Sequence, residues 1–101
     1  MTKKYVYRFY VGVGGQSLTL TEVLRVDARH RLNRVFGGST LYKAEGSWKD
    51  EVEPTDVWEA VGETADEEAT LIAHYLCGLF AQKAVLVTKQ KLEWAKEVKR
   101  A

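Results

Sequence analysis

Apolar and polar residues alternate from Tyr5 to Val13, with Tyr5, Tyr7, Phe9, Val11 and Val13 on one side and Val6, Arg8 and Tyr10 on the other, which is the period of a strand. The glycine-rich run Gly12-Val13-Gly14-Gly15-Gln16-Ser17 ends it, because glycine tolerates the backbone angles of a tight strand-to-helix turn. The period then becomes helical, with Leu20, Leu24, Ala28, Leu32 and Val35 on one stripe. Thr19 and Glu22 have capping-box spacing, Leu18 is placed to staple onto Val23, and Gly37-Gly38 supplies a left-handed stop, so a helix is predicted over about residues 20 to 36.

Ser39 to Lys49, with Leu41, Tyr42 and Trp48, and Thr55 to Val61, with Val57, Trp58 and Val61, read as two further strands. The polar segment Asp50-Glu51-Val52-Glu53-Pro54 between them is short enough for a hairpin loop. Thr64 and Glu67 repeat the capping-box spacing, and Ala69, Ile72, Leu76, Leu79 and Phe80 form the buried stripe of a second helix ending near Gln82. Ala84 to Thr88 is a fourth strand. The charged extension from about Lys89 fits either a longer strand or a short helix carrying Leu92 and Val98.

The order β-α-β-β-α-β folds most simply as a ferredoxin-like α+β domain over residues 1–101, a four-stranded antiparallel sheet with both helices on one face and right-handed crossovers. Hydrophobic residues at 46% and charged residues at 29% suffice for such a core without disulfides or metals. The formal charge of +1 gives no overall field for nucleic acid or anionic membrane, so neither is an expected partner. One cysteine and two histidines do not supply the four ligands of a structural zinc site, and no cofactor is expected. Arg8 interrupts the first apolar run, and no stretch reaches the roughly 18 uncharged residues of a membrane helix, so a cytoplasmic location is expected.

Four segments stand in a distinctive order: Tyr7-Arg8-Phe9-Tyr10-Val11-Gly12, Phe36-Gly37-Gly38-Ser39-Thr40-Leu41, Gly46-Ser47-Trp48 and Gln82-Lys83-Ala84-Val85-Leu86. With them the chain resembles an uncharacterised family of small bacterial and phage-associated proteins, a domain of unknown function. The resemblance implies the fold and a phage or mobile-element setting, and carries no activity.

Several constellations could carry chemistry. The Gly12, Gly14 and Gly15 turn precedes a helix N-terminus but matches neither the dinucleotide fingerprint nor the P-loop, and an ordinary turn accounts for it. Phe9-Tyr10-Val11-Gly12 resembles the first aromatic motif of RNA-recognition domains; Asp56-Val57-Trp58-Glu59-Ala60-Val61 lacks the second, leaving Tyr10 and Trp58 as the stacking pair. Arg25, Arg29, His30 and Arg34 fall on the first helix's outer arc as a basic face, moderated by Glu22 and by an Asp27–Arg31 pair. His74 and Cys77 share one side of the second helix, where a mid-helix thiol lacks an activating setting. Among the hairpin carboxylates, Glu45 and Glu59 are the candidate acid-base pair, if one is buried.

Trp48, Trp58, Tyr10 and Val6 either belong to the core or leave an apolar area on the helix-free sheet face, where aromatic anchors favour association. The leading expectation is a non-enzymatic interaction module that binds a protein partner and forms a homodimer through that face. A small-molecule-binding protein or enzyme of the dimeric ferredoxin-like type, with a pocket lined by Arg8, Tyr10, Trp48 and Trp58, is the alternative, and RNA binding on the sheet face is the third reading.

Overall fold

The computed structural model describes residues 3–63 and 65–100. Its elements are β1 (Lys4–Gly12), α1 (Leu18–Phe36), β2 (Thr40–Trp48), β3 (Glu51–Gly62), α2 (Asp66–Leu79) and β4 (Leu86–Leu92). The strands form one sheet in the order β2-β3-β1-β4, and every neighbouring pair is antiparallel. This is the ferredoxin-like split βαβ arrangement, in which each crossover helix carries the chain past a strand inserted between the two it connects.

Register decides which side chains meet the helices. Phe9 pairs with Trp58 and Tyr7 with Ala60, so these residues share one face of the sheet with Val11. Ala28 and Leu32 of α1, and Ala69, Ile72 and Leu76 of α2 with the adjoining Phe80, close over that face as a single core. Phe36 packs its ring against Tyr7 and Phe9, with centroids 5.4 and 6.5 Å away.

α1 starts two residues earlier than its capping-box spacing predicts. Ser17 is the N-cap, its side chain accepting the Leu20 amide at 3.2 Å, while Leu18 and Val23 are exposed and make no buried staple. The buried stripe is Thr21, Arg25, Ala28 and Leu32, rotated from the expected one, so Leu20 and Val35 face outward. Gly37 closes the helix at φ 81°, with its N–H donated to the Asn33 carbonyl, as the glycine pair suggests. At α2 the expected Thr64 cap lies outside the described residues. Ala65 precedes the helix without a side-chain cap, and its N–H is satisfied by the Tyr7 hydroxyl at 2.9 Å. The expected stripe of α2 holds at Ala69, Ile72 and Leu76, with Leu79 half-buried; the helix ends there, short of the expected Gln82, and the buried Phe80 follows it.

The hairpin is longer and tighter than the polar segment suggests. Trp48 pairs with Glu51 across a two-residue turn, Lys49-Asp50, in which Lys49 takes φ 56°. Residues 51–54, read as loop from their polarity, are strand. Pro54 is tolerated because its carbonyl points toward β1, accepting the Val13 amide at 2.9 Å. A strand residue's N and O point to the same side, so the missing N–H falls beyond the end of the β1 ladder and not within the β2 ladder. β4 runs from Leu86 through Leu92, so the extension continues the strand only over 89–92, and residues 93–100 are neither strand nor the alternative helix.

Candidate protein-interaction face

The second face of the sheet carries no helix. Pairing places Tyr10, Val57, Tyr42 and Leu86 in one row across it, because Tyr10 stands opposite both Val57 and Leu86, and Val57 opposite Tyr42. Tyr42 is 49% and Leu86 62% exposed, and Val61 on the same face is also exposed. At the centre the Arg8 guanidinium donates from Nε to Glu59 at 2.9 Å and from Nη1 to Gln90 at 3.2 Å, tying β1 to both neighbours. The result is an apolar and aromatic surface around a satisfied polar island, chemistry suited to a protein surface, whose aromatic groups bury area at low entropic cost.

The C-terminal segment covers one end of this face. Leu92 lies on β4, and Glu97 borders the same cavity as Glu59 and Val61 of β3, so the tail spans β1 between them. Val6, on this end of β1, is only 3% exposed and is not available as a contact. At the other end the β2–β3 ribbon outruns β1, whose last partner is Thr55. Gly46, Ser47 and Trp48 therefore pair only with Glu53, Val52 and Glu51, projecting roughly 10 Å at about 3.4 Å per residue. Trp48 sits beside the turn, on the same side of the ribbon as Tyr42, and is 77% exposed.

Other expected site residues are placed differently. Trp58 is fully buried under α1, on the face opposite Tyr10, so the two cannot stack on one nucleic-acid strand and the four residues of the supposed pocket do not converge. A one-residue difference in pairing parity produces this: Tyr10 stands opposite Val57, and Trp58 opposite Phe9. Arg25 is not on a basic outer face. It turns inward and forms a two-pronged pair with Asp56, Nε to Oδ2 and Nη2 to Oδ1 both at 2.8 Å, with Glu22 as a further partner. The Asp56 carboxylate holds the Arg25 guanidinium pKa above its usual value. Arg29 lies over the Trp58 ring at 5.6 Å and Arg31 over the Tyr75 ring at 4.1 Å, and Arg29, His30 and Arg34 are the exposed members of the expected basic face.

Glu45 and Glu59 point to opposite faces, since Glu45 pairs with Pro54 and Glu59 with Thr40. His74 is exposed and Cys77 half-buried, and no hydrogen bond joins them among the described residues. At the glycine turn a Cβ on Gly12 would stand 2.5 Å from the Glu53 carboxylate and 2.6 Å from the Gln82 amide oxygen, so the turn packs against acceptors and offers no cradle for phosphate. No group of three or more potential metal ligands occurs among the described residues.

One cluster escaped the sequence reading. The Tyr7 hydroxyl donates to Asp66 at 2.6 Å, and Lys89 of β4 approaches the same carboxylate at 3.0 Å while lying 4.2 Å from the Tyr5 ring centroid. The Tyr7 bond, with Lys89 second, lowers the Asp66 pKa. Asp66 in turn raises that of Lys89, and burial, reinforced by Asp66, raises that of Tyr7. A tyrosine kept protonated beside a carboxylate is a poor base, so the cluster serves to pin the start of α2 to β1 and β4. Only the tertiary fold brings residues 7, 66 and 89 together.

No protein-family model and no curated protein matches the chain. Among solved structures, a de novo designed protein with a ferredoxin fold is similar at 11% identity, over 100% of this chain and 98% of that one, with a TM-score of 0.35. No helix among the described residues is long and apolar enough to cross a membrane.

Proposed function

We propose that this chain is a small protein-interaction module that self-associates through its helix-free sheet face and acts by binding rather than catalysis. The observation that carries the reading is the exposed row of Tyr42 and Leu86 flanking Val57 and Tyr10, on a face that no helix covers and that the C-terminal segment reaches only at one end. Two sheets of this size packed face to face make a sandwich in which the apolar rows meet around the internally satisfied Arg8–Glu59–Gln90 island. A phage or mobile-element source is proposed with it, on the four landmark segments alone.

The test is the molar mass in solution, by light scattering after gel filtration, of the wild type, Leu86→Glu and Tyr42→Glu. Both side chains lie outside the core, so the variants stay folded by circular dichroism. The expected result is a wild-type dimer and folded monomeric variants. A wild type that is monomeric at about 100 μM, where even a weak specific interface with a Kd in the μM range is occupied, overturns the reading.

A further inference from the structure

The two ends of the long axis carry opposite charge. The projecting ribbon from Glu45 to Pro54 holds four carboxylates, those of Glu45, Asp50, Glu51 and Glu53, against one lysine, Lys49. At the opposite end, where Lys4 pairs with Leu92, a cavity of about 540 Å³ is lined by Lys3, Lys4, Lys91 and Lys96 against the single acid Glu93, with Leu92 and Trp94 supplying apolar wall. These ends are separated by the length of β1, roughly 27 Å at about 3.4 Å per residue, within a molecule 43 Å long. Each therefore has a matching end on another copy and none within reach on its own.

Both ends also look toward the same side. Trp48 shares the open-face parity of Tyr42, and Lys4 and Leu92 share that of Arg8 and Gln90. The ribbon belongs to the β2–β3 half of the sheet and the cavity to the β1–β4 half, so when two copies meet through their open faces with the sheets crossed, the β2–β3 margin of one over the β1–β4 margin of the other, the acidic ribbon of each lies over the lysine cavity of the other. A two-fold axis makes this contact twice.

We infer that the β2–β3 ribbon is a docking arm whose occupant is the lysine-lined cavity of a second copy of this chain, Trp48 entering against Trp94 and Leu92 while Asp50, Glu51 and Glu53 face Lys4 and Lys96. This rests on the face-to-face association proposed above and fixes its direction and symmetry. An isolated two-stranded ribbon is marginal in water, and a partner end supplies the third side that its tip lacks.

Charge reversal tests it. The arm variant Asp50→Lys/Glu51→Lys/Glu53→Lys and the cavity variant Lys4→Glu/Lys96→Glu each place like charges at both contacts of a homodimer, so each should dissociate at least about tenfold more readily than wild type in analytical ultracentrifugation. An equimolar mixture restores both contacts, and a heterodimer of wild-type affinity should form, weakening as salt rises. If wild type is a dimer that Leu86→Glu breaks but both reversal variants dimerise normally, the arm assignment is overturned and the open-face interface stands. A monomeric wild type overturns both, and assemblies larger than two copies overturn the two-fold closure. A monomer whose lysine cavity binds a labelled oligonucleotide would reassign that end to nucleic acid.

Discussion

Arg25 on α1 and Asp56 on β3 form a buried, two-pronged ion pair, with both bonds 2.8 Å long. Thirty-one residues apart in sequence, they dock the helix on the sheet where the stripe would otherwise present an apolar side chain. Removing one partner leaves the other's charge buried without compensation, at a cost of about 3–5 kcal/mol. Arg25→Met and Asp56→Leu should each lower urea stability by that order, and the double variant should recover most of it. Additive losses would show that the two side chains do not act as a pair.

Trp58 and Leu86 separate core from surface. Trp58→Ala empties a fully buried site and should cost about 3–5 kcal/mol, whereas Leu86→Glu should leave stability within about 0.5 kcal/mol of wild type in the monomer. Since the indole N–H has no hydrogen-bond partner among the described residues, Trp58→Phe should cost distinctly less than Trp58→Ala. Chemical denaturation of the three variants at low protein concentration ranks them.

The Tyr7–Asp66–Lys89 cluster sets a pH dependence with two signs. Asp66 has a lowered pKa, so its contribution is present above its ordinary value of 3.8 and is lost as pH falls through the lower folded one. Lys89 has a raised pKa, so its contribution is present below 10.5 and is lost as pH rises through the higher folded one. The stability gap between wild type and Asp66→Asn should therefore be widest at intermediate pH and narrow at both extremes. A gap that stays constant from pH 3 to pH 11 would remove the cluster from the account of stability.

Lys49 holds φ 56° in the two-residue turn, a left-handed conformation costing a residue with a Cβ about 1–2 kcal/mol. Lys49→Gly relieves that and loses some chain entropy, so a net gain of roughly 0.5–1 kcal/mol is expected. Thermal melting should show a higher Tm; a lower one would mean that the lysine side chain contributes more than its backbone costs.

The sequence by itself determined the element order and hence the fold. Strand alternation in Tyr5 to Val13, the α2 stripe and the Gly37 stop are local patterns, and two βαβ units joined by a hairpin have few compact arrangements. For Trp48, Trp58, Tyr10 and Val6 it left core and surface as equal alternatives. Only tertiary structure decided which aromatic residues the surface keeps, because the face assigned to Trp58 depends on β1–β3 register, and a shift of one residue exchanges the faces. Arg25 was illegible for a related reason: a charge reads as exposed until a partner from another element neutralises it, and Asp56 reaches it only through the pairing of β3 with its neighbours. The reach of the arm was hidden too, since polar residues 51–54 read as loop until their cross-strand partners on β2 supply the hydrogen bonds that make them strand.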